Sequence, residues 1–276
     1  MPLTRGAPWH PAQGARGCAT PQPAVAPRPW RRFAPVWLAG AVGVASLLLQ
    51  APPPAVVAAA PPAVAASPLA LRALLALPPL SLVTLAALAG AAWAHRVGLR
   101  SVLAGTQGSG GGRVTAMLGA GAAIGLLLGA AIGAVEVAQP LGGGTAPAAG
   151  ASLAVALLYG GLAEEVLMRW GLMSALTLAL ARLLPHSRAA GMRRVNRSVV
   201  AVAVFVTSLV FAAAHLPALA AFVPAPTAAD VLRVLGLNTA AGIVYGALAW
   251  RQALESAMAA HVATHLGRVA VHAAWV

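Results

Sequence analysis

Glu164 and Glu165 stand side by side in an otherwise apolar stretch, 153–180, with Arg169 one helical turn further on. The whole chain has only five acidic residues, and two of them are here. An ionisable side chain at the centre of a membrane helix costs about 2.5–3.5 kcal/mol on insertion scales, so it normally faces an interior or a wet cavity and marks function. On a helix Glu165 and Arg169 are i,i+4 neighbours in the favourable order and can pair. Glu164 projects about 100° away from Glu165 and is left for another task. A structural ion pair would account for one glutamate, not both. Gly160 and Gly161 lie one turn earlier, where they let another helix approach closely.

Two further polar places follow. Phe211-Ala-Ala-Ala-His215 is succeeded directly by Leu216-Pro217. Pro217 cannot donate to the carbonyl of Ala213, so a helix distortion is expected beside His215. A lone histidine on an apolar helix is more often a packing residue than a catalyst, and position alone does not decide between them. The last place is His261-Val-Ala-Thr-His265, two imidazoles at i,i+4 on one face. Arg268 and His272 continue that stripe and are expected to reach the membrane interface, with His261 and His265 lining a wet cavity. Counted at 1.5 Å per residue, Glu164, His215 and His261 each fall roughly 10–20 Å from the outer ends of their spans and can form one layer.

The elements that must position these groups follow from composition. The chain has 276 residues, 60% hydrophobic and 8% charged, with mean hydropathy +0.82. A soluble domain carries about 25% charged residues. The composition fits an all-α fold, a polytopic membrane helical bundle. Spans of about 20 mainly apolar residues are expected at 34–49, 74–94, 114–137, 152–176 or a little beyond, 199–223, 231–249 and 253–273. That makes about seven, with six or eight as the neighbouring counts.

All 18 basic residues are arginine, which with the excess of Ala, Gly and Pro fits the coding bias of a GC-rich genome. The net charge of +13 is therefore no sign of a nucleic-acid partner. Such a partner would call for basic residues clustered with aromatics on a soluble face, and here the arginines lie mainly in gaps between apolar runs. With seven spans, the arginine-rich segments share a side with the N-terminus, which the positive-inside rule places in the cytoplasm. A bacterial cell membrane is the expected location. Residues 1–33 read as a disordered basic tail, although Arg31-Arg32-Phe33 also resembles a twin-arginine export signal. Residues 34–150 read as N-terminal transmembrane helices and linkers, and 151–276 as the functional transmembrane core. Cys18, the single cysteine, excludes a disulfide framework within the chain.

Glu-Glu-x-x-x-Arg, then Phe-x-x-x-His, then His-x-x-x-Asn/Asp in a late helix is the three-motif pattern of the CPBP intramembrane proteases. These are the CAAX proteases and bacteriocin-processing enzymes, also called the Abi family. The chain resembles them through Glu164, Glu165 and Arg169; Phe211 and His215; and His261. A Gly-Ile-Val-Tyr-Gly run, 242–246, precedes the last motif. The resemblance covers about 152–267 and departs at His265, where the family usually has Asn or Asp.

The resemblance implies an intramembrane endopeptidase acting on membrane-associated peptide or protein substrates in the lipid bilayer. Glu164 would be the general base, assisted by His215. His261, with His265, would donate hydrogen bonds to the oxyanion, while Glu165, held by Arg169, and Phe211 would be supporting residues. A cofactor-free mechanism is expected. The alternative is a Zn²⁺ site drawn from Glu164, His215, His261 and His265, since His-x-x-x-His places two ligands on one helix face. Two other classes stay open: a Glu/His-relay transporter, and a non-catalytic membrane scaffold or immunity protein.

Overall fold

The computed structural model of the chain describes residues 28–52, 54–107, 110–144, 152–184, 195–223 and 225–275. Most of the expected N-terminal tail, 1–27, lies outside them. The described residues are helical, with no strand among them. Seven principal helices run in order: α1 (Pro29–Ala45), α2 (Pro68–Trp93), α3 (Gly111–Ala138), α4 (Leu153–Leu183), α5 (Arg197–Ala213), α6 (Ala228–Arg251) and α7 (Leu254–Trp275). Helix α1 begins inside the stretch read as tail. Pro29 and Pro68 stand at the starts of α1 and α2, where the missing N–H would have had no partner. A reciprocal capping box between Thr227 and Asp230 opens α6.

Six of these segments are long and apolar enough to cross a membrane: Pro29–Leu49, Pro68–Arg96, Gly111–Ala138, Leu153–Leu183, Arg197–Phe222 and Ala228–Arg251. The seventh expected span, α7, has 22 residues but carries Glu255, His261, His265, Arg268 and His272. It earns its place by packing. Its inner face, including Ala257, Ala260, His261, Ala263 and Thr264, is buried within the bundle. On the outside of the bundle Leu85, Leu127, Leu209 and Leu232 stand exposed, an apolar exterior suited to lipid.

Helix α4 is the hub. It packs against α1, α2, α5 and α7, and its winding differs from theirs. Over Ala156–Glu164 and again over Val166–Met173 the backbone takes the wider π form, with Glu165 between the two stretches. Wide turns of this kind are rare and gather at functional sites.

The most extensive helix pair is α3 with α7. Gly121, Gly125 and Gly129 recur every fourth residue on α3. A Cβ added at any of them would collide with the backbone oxygen of Ser256, Ala260 or Thr264 in turn. This run of small residues brings the two backbones into contact and fixes the depth and rotation of α7. The stripe bearing His261 and His265 is thereby aimed at α4.

Candidate active site

Helix α4 supplies two carboxylates in different settings. The Glu165 side chain is fully buried, whereas that of Glu164 is 19% exposed. The expected ion pair forms: Arg169 Nε lies 3.3 Å from Glu165 Oε2. Arg169 is held from other sides as well. Its Nη2 donates to the carbonyl of Gly242 on α6 at 3.1 Å, and its guanidinium lies 5.0 Å from the Phe211 ring centre and 5.4 Å from that of Tyr245. One arginine therefore ties α4 to α5 and α6, using charge, a hydrogen bond and cation–π contact.

Glu165 also has a second partner that spacing alone does not reveal. His261 Nδ1 lies 2.9 Å from Glu165 Oε1. A carboxylate accepts, so the imidazole proton sits on Nδ1 and Nε2 faces away from Glu165. That free nitrogen lies 3.8 Å from Glu164 Oε2. The ring is stacked between Tyr245 (4.5 Å between centres, 20° between planes) and His265 (5.2 Å, 20°). The edge of Phe211 closes a third side at 5.8 Å.

Gly160 lies opposite the two imidazoles. A Cβ there would stand 2.8 Å from His265 Nε2 and 3.3 Å from His261 Nε2. Both nitrogens thus converge on one small space next to the α4 backbone, kept open by the missing side chain. Gly161 makes the adjoining close approach, to Val262.

His215 enters from the break that Pro217 imposes. Helix α5 stops at Ala213, and a short helix, Leu216–Phe222, starts just after the histidine. His215 Nδ1 lies 2.8 Å from the Phe211 carbonyl. A carbonyl only accepts, so neutral His215 keeps its lone pair on Nε2. Its ring meets the Phe211 edge at 4.7 Å. No hydrogen bond or ion pair joins Glu164 to His215 among the described residues. Glu164, Glu165, His261 and His265 form one linked group, and His215 adjoins it through Phe211.

Arg268 and His272 both meet Glu136 of α3. Arg268 binds Glu136 of α3 with two bonds, Nε to Oε2 at 3.0 Å and Nη2 to Oε1 at 2.8 Å. His272 Nε2 lies 3.2 Å from Glu136 Oε2, and Arg268 Nη1 reaches back to His265 Nδ1 at 3.4 Å.

As a zinc centre the cluster lacks a ligand set: among the described residues no three His, Cys, Asp or Glu side chains are grouped to hold a metal ion.

Membrane-length helices around buried carboxylates and imidazoles define a polytopic membrane protein with an internal polar site. Residues 146–267 match the family model for Rce1-like proteins, type II CAAX prenyl endopeptidase Rce1-like, in agreement with the motif resemblance. All the residues that carry the resemblance, from Glu164 to His261, fall within this segment, as does His265, where the chain departs from the pattern. No curated protein and no solved structure matches the chain.

Proposed function

We propose that the chain hydrolyses peptide bonds of membrane-associated peptides or proteins, with a water activated by Glu164 and His215. The Rce1-like domain and the membrane-length helices support a CAAX-type intramembrane protease in general terms. The finer reading is carried by one observation: of two adjacent glutamates, one is fully buried and engaged by Arg169 and His261, while the other is left partly exposed beside His261 Nε2. The engaged carboxylate orders the site. The other is available for proton transfer.

In this mechanism a water attacks the scissile carbonyl carbon and gives its proton to Glu164. His215 Nε2, unengaged in the neutral ring, helps orient that water. The carbonyl oxygen becomes an oxyanion and accepts hydrogen bonds from the imidazoles that converge opposite Gly160. Collapse of the tetrahedral intermediate breaks the C–N bond, and the departing amine takes the proton from Glu164. His261 spends its Nδ1–H on Glu165. Donation from its Nε2 therefore requires the imidazolium form, whose charge the two glutamates would meet. His265 can donate without any charge.

The membrane is the expected site of action, a bacterial cell membrane with the N-terminus in the cytoplasm, in keeping with the arginine distribution. The test compares membrane-proteome fragments in cells making the wild-type chain and Glu164→Gln at equal levels. Fragments present with the wild type and missing with the variant are expected. Identical fragment sets would overturn the reading and favour a non-catalytic membrane protein.

A further inference from the structure

His265 poses a chemical problem that its neighbours solve. A neutral imidazole has one N–H, and which nitrogen bears it is set by the hydrogen bond made at the other. His265 Nε2 points to the space opposite Gly160, 2.8 Å from where a Cβ would stand. To donate there, the ring must carry its proton on Nε2 and keep a lone pair on Nδ1. Left alone, the ring could adopt either tautomer, and the wrong one would place a lone pair against a developing negative charge.

Arg268 faces the other nitrogen. Its Nη1 lies 3.4 Å from His265 Nδ1. A guanidinium has donors only and keeps its charge throughout the usable pH range. Nδ1 can therefore only accept from it, which puts the proton on Nε2. Arg268 itself is fixed by the two-pronged bond to Glu136, at 3.0 and 2.8 Å, with His272 on the same carboxylate at 3.2 Å. The base of Arg268 is fixed as well, since a Cβ added at Gly133 of α3 would stand 3.2 Å from its Cα. The sense is opposite to that at His261, where Glu165 places the proton on Nδ1. Two stacked imidazoles, 5.2 Å apart, are thus set in complementary tautomers by an acceptor below one and a donor beside the other.

We propose that Arg268, clamped by Glu136, is a positioning residue that holds His265 as its Nε2–H tautomer and makes it the uncharged hydrogen-bond donor of the site. The role in hydrolysis rests on the proposed protease reading, whereas the tautomer assignment does not.

Histidine side-chain ¹⁵N spectra of the full chain in lipid nanodiscs, with His265 assigned by comparison with His265→Asn, read the tautomer directly. The Nε2–H form is expected in the wild type, and a mixed population in Arg268→Gln and Glu136→Gln. In parallel, cleavage is measured in a double-mutant cycle. Arg268→Gln should lower kcat about tenfold beside His265, but add no further loss in a His265→Asn background, because an amide NH₂ donates without help.

An equal loss in both backgrounds would reduce Arg268 to a structural tie, and an Nδ1–H ring in the wild type would overturn the assignment. If His265→Asn is itself inactive, the spectra decide. A wild type that shows the expected tautomer but cleaves nothing would sink the protease reading and leave the tautomer control standing.

Discussion

Glu165 Oε1 and His261 Nδ1, 96 residues apart in sequence, meet at 2.9 Å in the interior of the bundle. The bond joins α4 to α7 and gives the buried carboxylate two cationic or donor partners, His261 and Arg169. Breaking such an arrangement from one side leaves an uncompensated charge, at a cost of about 3–5 kcal/mol. Glu165→Gln and Arg169→Gln are each expected to destabilise the chain by that order. The double variant should lose less than the sum, as read by denaturant or thermal unfolding in detergent.

Gly160 gives a cleaner test of the site itself. In Gly160→Ala the new methyl group would press on His265 Nε2 at 2.8 Å and His261 Nε2 at 3.3 Å. A displacement near 1 Å at a catalytic group can cost about 10²-fold in rate. Turnover should fall by that order while helicity and membrane insertion stay as in the wild type. Full activity would show that the two nitrogens do not act at this place.

Tyr245 is expected to matter through its ring and not its hydroxyl. It lies flat against His261 at 4.5 Å, and contacts of this kind contribute about 0.5–1.5 kcal/mol. Tyr245→Phe should keep most activity, whereas Tyr245→Leu should lose up to about tenfold. Comparable losses in both would assign the role to the hydroxyl instead.

The metal question is open to direct measurement. With water activated by Glu164 and His215, chelators should leave cleavage intact, and purified active protein should carry zinc well below one ion per chain. Loss of activity on chelation, restored by zinc, would establish the metal-dependent alternative.

A prediction about assembly concerns α3. Gly125→Leu or Gly129→Leu would drive a side chain into the backbone of α7 at Ala260 or Thr264. Either change should separate His261 from Glu165. A Cys pair introduced across α4 and α7, cross-linkable in the parent, should then no longer react.

Much of this arrangement was legible in the sequence. Hydropathy placed six membrane-length helices within a few residues of their observed ends, because a run of about 20 apolar residues has few other solutions. The i,i+4 rule found the Glu165–Arg169 pair, and Pro217 predicted the break beside His215.

What local rules could not supply were contacts between helices far apart in the chain. The Glu165–His261 bond, Tyr245 stacked on His261 and the Glu136–Arg268 clamp all depend on how the helices are rotated against one another. One signal of such a contact is readable in the sequence: glycines at 121, 125, 129 and 133 mark a contact face on α3. The π winding around Glu164 has no sequence rule behind it, and it replaces the simple 100° projection expected for that residue.

The glycine ridge also bears on modularity. The family match begins at residue 146, yet the partner that seats α7 is Gly111–Ala138, upstream of it. The Rce1-like segment therefore borrows a wall from the supposedly separate front half. Split near residue 145, the two pieces should be inert singly and regain function when produced together, as halves of one lock.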